Sequence, residues 1–145
     1  MGRTSDWLPG LATGDLLATV AFAEEGGAWL SDQWTQSADD RLTGTKETVP
    51  FAEQADLFVV GLAGGKLAVV ERDAAGLEIQ RLEGADRTRR IGRVRFENSP
   101  AEELEGSGPE VAERVTNAGL VLLAADAFGG ASKLVAMSVE YAKSR

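Results

Sequence analysis

From Thr19 to about Phe96 the apolar residues come in short runs, each bounded by glycine or a small polar cluster. "TVAFAEE" and "AWLSDQWTQSA" are β-favouring runs split by Gly26-Gly27, and "RLTGTKETV" carries a turn at Gly44. "DLFVVGLA" and "KLAVVER" flank Gly64-Gly65, the pattern of a hairpin. "LEIQRLE" follows Ala75-Gly76, and "IGRVRFEN" alternates Ile91, Arg93/Val94 and Phe96. About six to eight short strands at such spacing predict a β-barrel or sandwich. Residues 1–17 read as an irregular lead with a helical turn around Thr13–Leu17.

The pattern changes after Phe96. "SPAEELEGSGPE" (Ser99–Glu110) reads as an acidic loop, and Pro109 suits the first turn of a helix. No proline follows, and Val111, Val115, Ala118 and Leu122 recur at helical spacing. The spacing predicts one helix from near Pro109 to Ser144, about 50 Å long at 1.5 Å per residue. "GLVLLAADAFGGA" (Gly119–Ala131) is apolar nearly all round, unlike a helix exposed on one side. Such a helix needs neighbours. The division expected is a β-domain over 1–108 and a helix over 109–145, with the helix joining a larger subunit or an oligomer.

Length and composition narrow the chemistry. The chain has 145 residues, enough for one domain with a substantial core. Its formal charge of −8 disfavours general nucleic-acid binding, which needs clustered cations. Without Cys or His there are no disulfides, thiolate nucleophiles, Ser-His-Asp triads or zinc sites of the usual kind. Any chemistry must come from carboxylates, hydroxyls, backbone amides or a bound cofactor. No unbroken run approaches the roughly 20 apolar residues of a membrane span. "LLATVAFAE" (Leu16–Glu24) imitates a signal core but follows Asp6, Pro9 and Asp15, so a cytoplasmic location is expected, with no membrane partner.

The individual motifs have ordinary readings. "GLAGGKL" (Gly61–Leu67) lacks the spacing of a phosphate loop, and Leu67 stands where Mg²⁺ needs a hydroxyl, so a hairpin fits better. Glu24 and Glu25, adjacent on a strand, point to opposite faces and cannot converge as an acid/base pair. "DRTRRIGRVR" (Asp86–Arg95) reads as a solvated loop entering an edge strand in preference to an anion grip. Trp29, just after a Gly-Gly turn, is placed to line a planar ligand.

Taken in order, "LTGTK", "ADLFVV", "LAVVERDAAGLEI", "DRTRRIGRVRFENSPAEELEG" and "GGASKLVAMSVEYAKSR" resemble the acyl-CoA dehydrogenase family from about Leu8 onward. The resemblance implies the family's middle β-domain and the first long helix of its C-terminal bundle, a fragment of a subunit that uses FAD. The implied reaction is α,β-dehydrogenation of an acyl-CoA, in which a Glu removes the α-proton and hydride passes to the flavin. It places Phe22, Ala23, Thr48, Val49 and Pro50 at the flavin, Ala28 and Trp29 at the acyl-CoA ligand, and Arg145 at the flavin pyrophosphate of a neighbouring subunit.

The departures are specific. Ala23 replaces a flavin-contacting hydroxyl, Trp29 replaces a ligand-contacting Ser, and Pro50 brings neither a hydroxyl nor an N–H. The alternative position of the catalytic base falls on Gly119, with Leu120 where an Arg is common. No catalytic residue is therefore expected in this stretch, and flavin binding is expected to be weak or absent. A second reading is a non-catalytic structural subunit in a heteromeric acyl-CoA dehydrogenase. Both lead to a homo- or hetero-oligomer joined through the C-terminal helix.

Overall fold

The computed structural model describes residues 4–145. In chain order it contains α1 (Thr4–Thr13), β1 (Ala18–Ala21), β2 (Arg41–Pro50), β3 (Leu57–Leu62), β4 (Lys66–Glu71), β5 (Leu77–Leu82), β6 (Ile91–Pro100), β7 (Glu102–Glu103) and α2 (Pro109–Ser144). It divides into two compact units, one running to Glu113 and the other comprising Arg114–Arg145.

In the first unit the strands form two sheets, in the orders β1-β3-β4-β7 and β2-β6-β5. No ladder closing them into a single barrel is found among the described residues. β3 and β4 are the expected hairpin, paired from Leu57↔Glu71 to Leu62↔Lys66. Gly64 and Gly65 make its turn with φ of 74° and 72°, a left-handed conformation that side chains with a Cβ resist. β1 joins β3 in parallel, with Ala18 opposite Leu57. The start of that pairing is fixed by Asp56, whose carboxylate accepts the Leu17 N–H at 2.9 Å.

The continuous apolar runs of β3 and β4 have a physical cause: both faces of this sheet are covered. On one face Phe58, Val60, Leu62, Ala68 and Val70 pack with Leu42, Val49, Val94 and Phe96 of the other sheet. On the opposite face Leu57 and Val69 meet Trp7 of α1, while Leu67 meets Trp34 and Ala112. Gly61 lies directly under the Trp34 indole; a Cβ there would stand 2.7 Å from three ring carbons.

Several expectations need correction. The lead is helical over Thr4–Thr13, ending at Gly14 (φ 82°), rather than around Thr13–Leu17. "AWLSDQWTQSA" forms no strand, and the Thr35 N–H goes instead to a side chain described below. Gly44 is no turn but an extended residue within β2, where the missing Cβ makes room for the Gln36 amide, which donates to the Thr45 carbonyl at 2.7 Å. The acidic loop contains β7, which adds to β4 through Val69↔Glu102 and Ala68↔Glu103. β6 is the centre of its sheet, not an edge.

The second unit is the body of α2. It exposes Val121, Leu122, Phe128, Leu134, Val135 and Met137. An 18-residue window of α2 has a mean hydropathy of 1.6. By length and composition, then, α2 could cross a bilayer, which a count of unbroken apolar residues overlooks.

Candidate functional site

The most constrained polar group in the β unit is an ion pair that sequence reading did not find. Lys46 lies at an inward position of β2, two pairs of residues along from buried Leu42, and its side chain is fully buried. Its Nζ donates to Glu24 Oε1 at 2.7 Å. The same ammonium is 5.6 Å from the centre of the Trp34 ring, near enough for a cation–π contribution. Glu24 also accepts the Thr35 N–H at 3.0 Å and the Thr35 hydroxyl at 2.6 Å. These bonds replace the ladder a strand at Thr35–Gln36 would have needed.

The environment sets both charges. Burial alone pushes the Glu24 carboxyl up, but hydrogen bonds from Lys46 and Thr35 outweigh it and hold the group below the ordinary carboxylate value. Burial pushes the Lys46 ammonium down, against the pull of Glu24 in the other direction.

This pair ties the exit of β1 to the middle of β2, and the expected flavin residues lie around it. Phe22 packs against Trp34 with ring centres 4.8 Å apart and the rings tilted by 44°. The Ala23 carbonyl accepts the Glu47 N–H at 2.7 Å, and the Pro50 carbonyl accepts the Thr19 hydroxyl at 2.6 Å. Thr48 forms a bulge between Lys46 and Val49, with φ of 49° and an exposed side chain, while Val49 turns inward. Phe22 and Ala23 are thus brought beside Thr48, Val49 and Pro50.

The ligand residues follow Glu24. A 3₁₀ turn over Glu25–Gly27 returns the Ala28 carbonyl to the Glu24 N–H at 2.8 Å. The Trp29 carbonyl accepts the Trp34 indole N–H at 3.2 Å, leaving the Trp29 side chain 42% exposed. In the helical unit the Arg145 guanidinium lies 5.1 Å from the Tyr141 ring centre.

The donor set of the β1–β2 edge fits a flavin poorly. Of Phe22, Ala23, Thr48, Val49 and Pro50, only Thr48 carries a side-chain hydroxyl. Ala23 has no hydroxyl to give, and Pro50 has neither a hydroxyl nor an N–H. In side chains the edge offers apolar surface and one hydroxyl to a ring whose rim is polar. A cleft of about 360 Å³ lies elsewhere, among Trp7, Asp40, Val69, Glu71, Asp73 and Glu102.

The basic stretch resolves as a loop and a strand. Asp86 accepts the Thr88 N–H at 2.8 Å and its hydroxyl at 2.6 Å, forming the turn. Arg93 pairs across the sheet with Glu47 at 2.7 Å. Arg95 lies near Glu97 at 3.5 Å on the same sheet, so these two arginines have carboxylate partners there.

No protein-family model matches the chain, and no curated protein matches it significantly. Solved structures do match, and they define the class: two sheets followed by a long helix, as in acyl-CoA dehydrogenases. An acyl-CoA dehydrogenase from Geobacillus kaustophilus is 24% identical, with a TM-score of 0.61 over 73% of this chain and 33% of that one. A glutaryl-CoA dehydrogenase from Mycobacterium smegmatis in complex with FADH2 is 19% identical, with a TM-score of 0.63 over 76% of this chain and 32% of that one. Both show the fold alone. A steroid ACAD variant, Tcur3481-Tcur3483, is 31% identical, with a TM-score of 0.62 over 73% of this chain and 31% of that one. The chain is placed with the acyl-CoA dehydrogenases as a portion of their subunit, spanning about a third of the length of each of these structures.

Proposed function

We propose that this chain is the flavin-side β-domain and adjoining helix of an FAD-dependent acyl-CoA dehydrogenase, whose complete form carries out α,β-dehydrogenation of acyl-CoA thioesters. The observation that carries this reading is the match of 73% of the chain to a steroid ACAD structure at 31% identity, beside further acyl-CoA dehydrogenase structures of the same fold. On this reading Phe22, Ala23, Thr48, Val49 and Pro50 face the flavin and Ala28 and Trp29 face the acyl-CoA, while the Glu24–Lys46 pair holds the two strands together behind them. Gly119 offers no base, so the chain on its own does not dehydrogenate. Mixing the purified chain with FAD and then anaerobically with acyl-CoAs of several lengths tests this. Flavin absorbance is expected to stay unbleached, and bleaching would overturn the inactive reading.

A second reading is favoured by Ala23 and Pro50, which remove two side-chain donors from the flavin edge. Each lost bond is worth about 1 kcal/mol. The chain would then be the non-catalytic half of a heteromeric dehydrogenase. Flavin content separates the two readings: a copurified heteromer with one FAD per pair of chains supports the second, and one FAD per chain supports the first.

A further inference from the structure

β5 and β6 are joined by residues 83–90, and the last pair of their ladder before that connection is Leu82↔Ile91. Arg81 of β5 and Arg87, Arg89 and Arg90 of the connection line one cleft of about 230 Å³, together with Glu83 and Asp86. Four guanidiniums against two carboxylates give this cleft a local excess of positive charge, in a chain whose net charge is −8. Among the described residues, the other arginines of the β unit are occupied. Arg41 donates to the Asn98 carbonyl and Arg72 to the carbonyls of Ala52 and Ala55, while Arg93 and Arg95 reach carboxylates. Arg81, Arg87 and Arg90 have no ion pair or side-chain hydrogen bond among the described residues. Arg81 stands opposite Gly92, which has no side chain to pair with it, whereas Arg95 stands opposite Glu78. Asp86 is committed to the turn: one oxygen accepts the Thr88 N–H and hydroxyl, and the other lies 3.5 Å from Arg89. The connection is also tied down at its end, where the Phe51 N–H donates to the Arg90 carbonyl at 2.8 Å.

We propose that this cleft is a binding site for a phosphate group, in its dianionic ester form. Each guanidinium presents a planar fork of N–H donors that matches two oxygens of an oxyanion. Several such forks around one cleft suit a tetrahedral phosphate with three terminal oxygens better than a planar carboxylate with two. The volume lies below the roughly 300–1,000 Å³ of a site that encloses a drug-sized ligand, so the phosphate enters and the rest of the molecule stays outside. A long polyanion is disfavoured, because the chain around the cleft is acidic. The loop is solvated, as the stretch Asp86–Arg95 reads in sequence. The fold removes Arg93 and Arg95 from it to carboxylate partners, and adds Arg81 to it. This inference does not depend on the flavoprotein reading.

The test is a titration of the isotope-labelled full chain with glycerol phosphate at constant ionic strength, read by NMR. Saturable shifts are expected at the amides of Gly84 and Thr88 and at the Nε–H groups of Arg87 and Arg90, with chloride shifting none of them. Arg87→Ala and Arg90→Ala are each expected to raise the dissociation constant about tenfold or more. Arg87→Lys keeps the charge but loses the fork, and is expected to raise it severalfold. Arg114→Ala removes the same charge from an exposed position on α2 and is expected to change nothing. The spectrum of each variant reports its fold, so lost affinity is told apart from lost structure. Flotation with vesicles containing phosphatidic acid gives a second arm. Capture that Arg87→Ala abolishes, beside soluble binding, extends the ligand class to lipid headgroups, and no capture confines it to soluble esters. Shifts that do not saturate and are matched by chloride overturn the proposal. So does an Arg114→Ala variant weakened as much as Arg87→Ala, since the charge of the whole chain and not the cleft would then hold the anion.

Discussion

The Lys46 ammonium and the Glu24 carboxylate meet at 2.7 Å inside the β unit, with the lysine side chain wholly removed from water. Breaking such a pair is costlier than its net attraction, because the remaining charge is left buried. Lys46→Ala is expected to destabilise the chain by about 3–5 kcal/mol. Glu24→Gln should cost less than Glu24→Ala, since an amide oxygen still accepts from Thr35. Urea unfolding followed by tryptophan fluorescence checks the order.

The same pair predicts an acid limb. The folded Glu24 carboxyl titrates below its ordinary value of 4.5, so the folded state holds that proton less tightly than the unfolded chain. Its contribution is full above 4.5 and is lost as pH falls through the lowered folded value. Lys46 has the same sign at the alkaline end: its lowered value means that the folded state holds the proton less tightly than the unfolded chain, so its contribution to stability rises with pH up to its ordinary value of 10.5. Urea midpoints measured from pH 7 down to pH 3 should fall more steeply for the wild-type chain than for Glu24→Gln.

Gly61→Ala places a methyl carbon 2.7 Å from the Trp34 ring. Overpacking of this kind costs about 1–3 kcal/mol. The indole would have to move, and with it the contacts to Phe22 and Lys46. A shifted tryptophan emission maximum in the folded state, together with a lower thermal midpoint, is the expected result.

If the β1–β2 edge faces a flavin, adding hydroxyls should strengthen binding. Ala23→Thr and Pro50→Thr are each expected to gain about 1 kcal/mol, a several-fold lower Kd for FAD by fluorescence titration. No change in either variant would move the flavin contact away from this edge.

Much of the scaffold was legible because local signals agreed. Two apolar runs around Gly64-Gly65 define the β3–β4 hairpin, and the proline-free periodic stretch after Pro109 defines α2. The division into two sheets was less legible, since β1 pairs with a strand about forty positions away. The site was hidden for a different reason. Lys46 points inward by its place in the alternation of β2, and the bulge at Thr48 then resets which residues face the core. Neither the bulge nor the partnership of Glu24 with Thr35 has a sequence signature. For that reason "AWLSDQWTQSA" looked like a strand, though a carboxylate takes the Thr35 N–H and hydroxyl.

The burial of Lys46 also gives the chain an internal reporter. It has four lysines, and Lys66, Lys133 and Lys143 are exposed. An amine-reactive reagent under native conditions will acylate those three rapidly, while Lys46 reacts only when the sheets part. The mass increment on the peptide bearing Lys46 then reports the opening of the β unit, as a rate where acylation outpaces reclosing and as an open population where it does not, without denaturant and without any engineered probe.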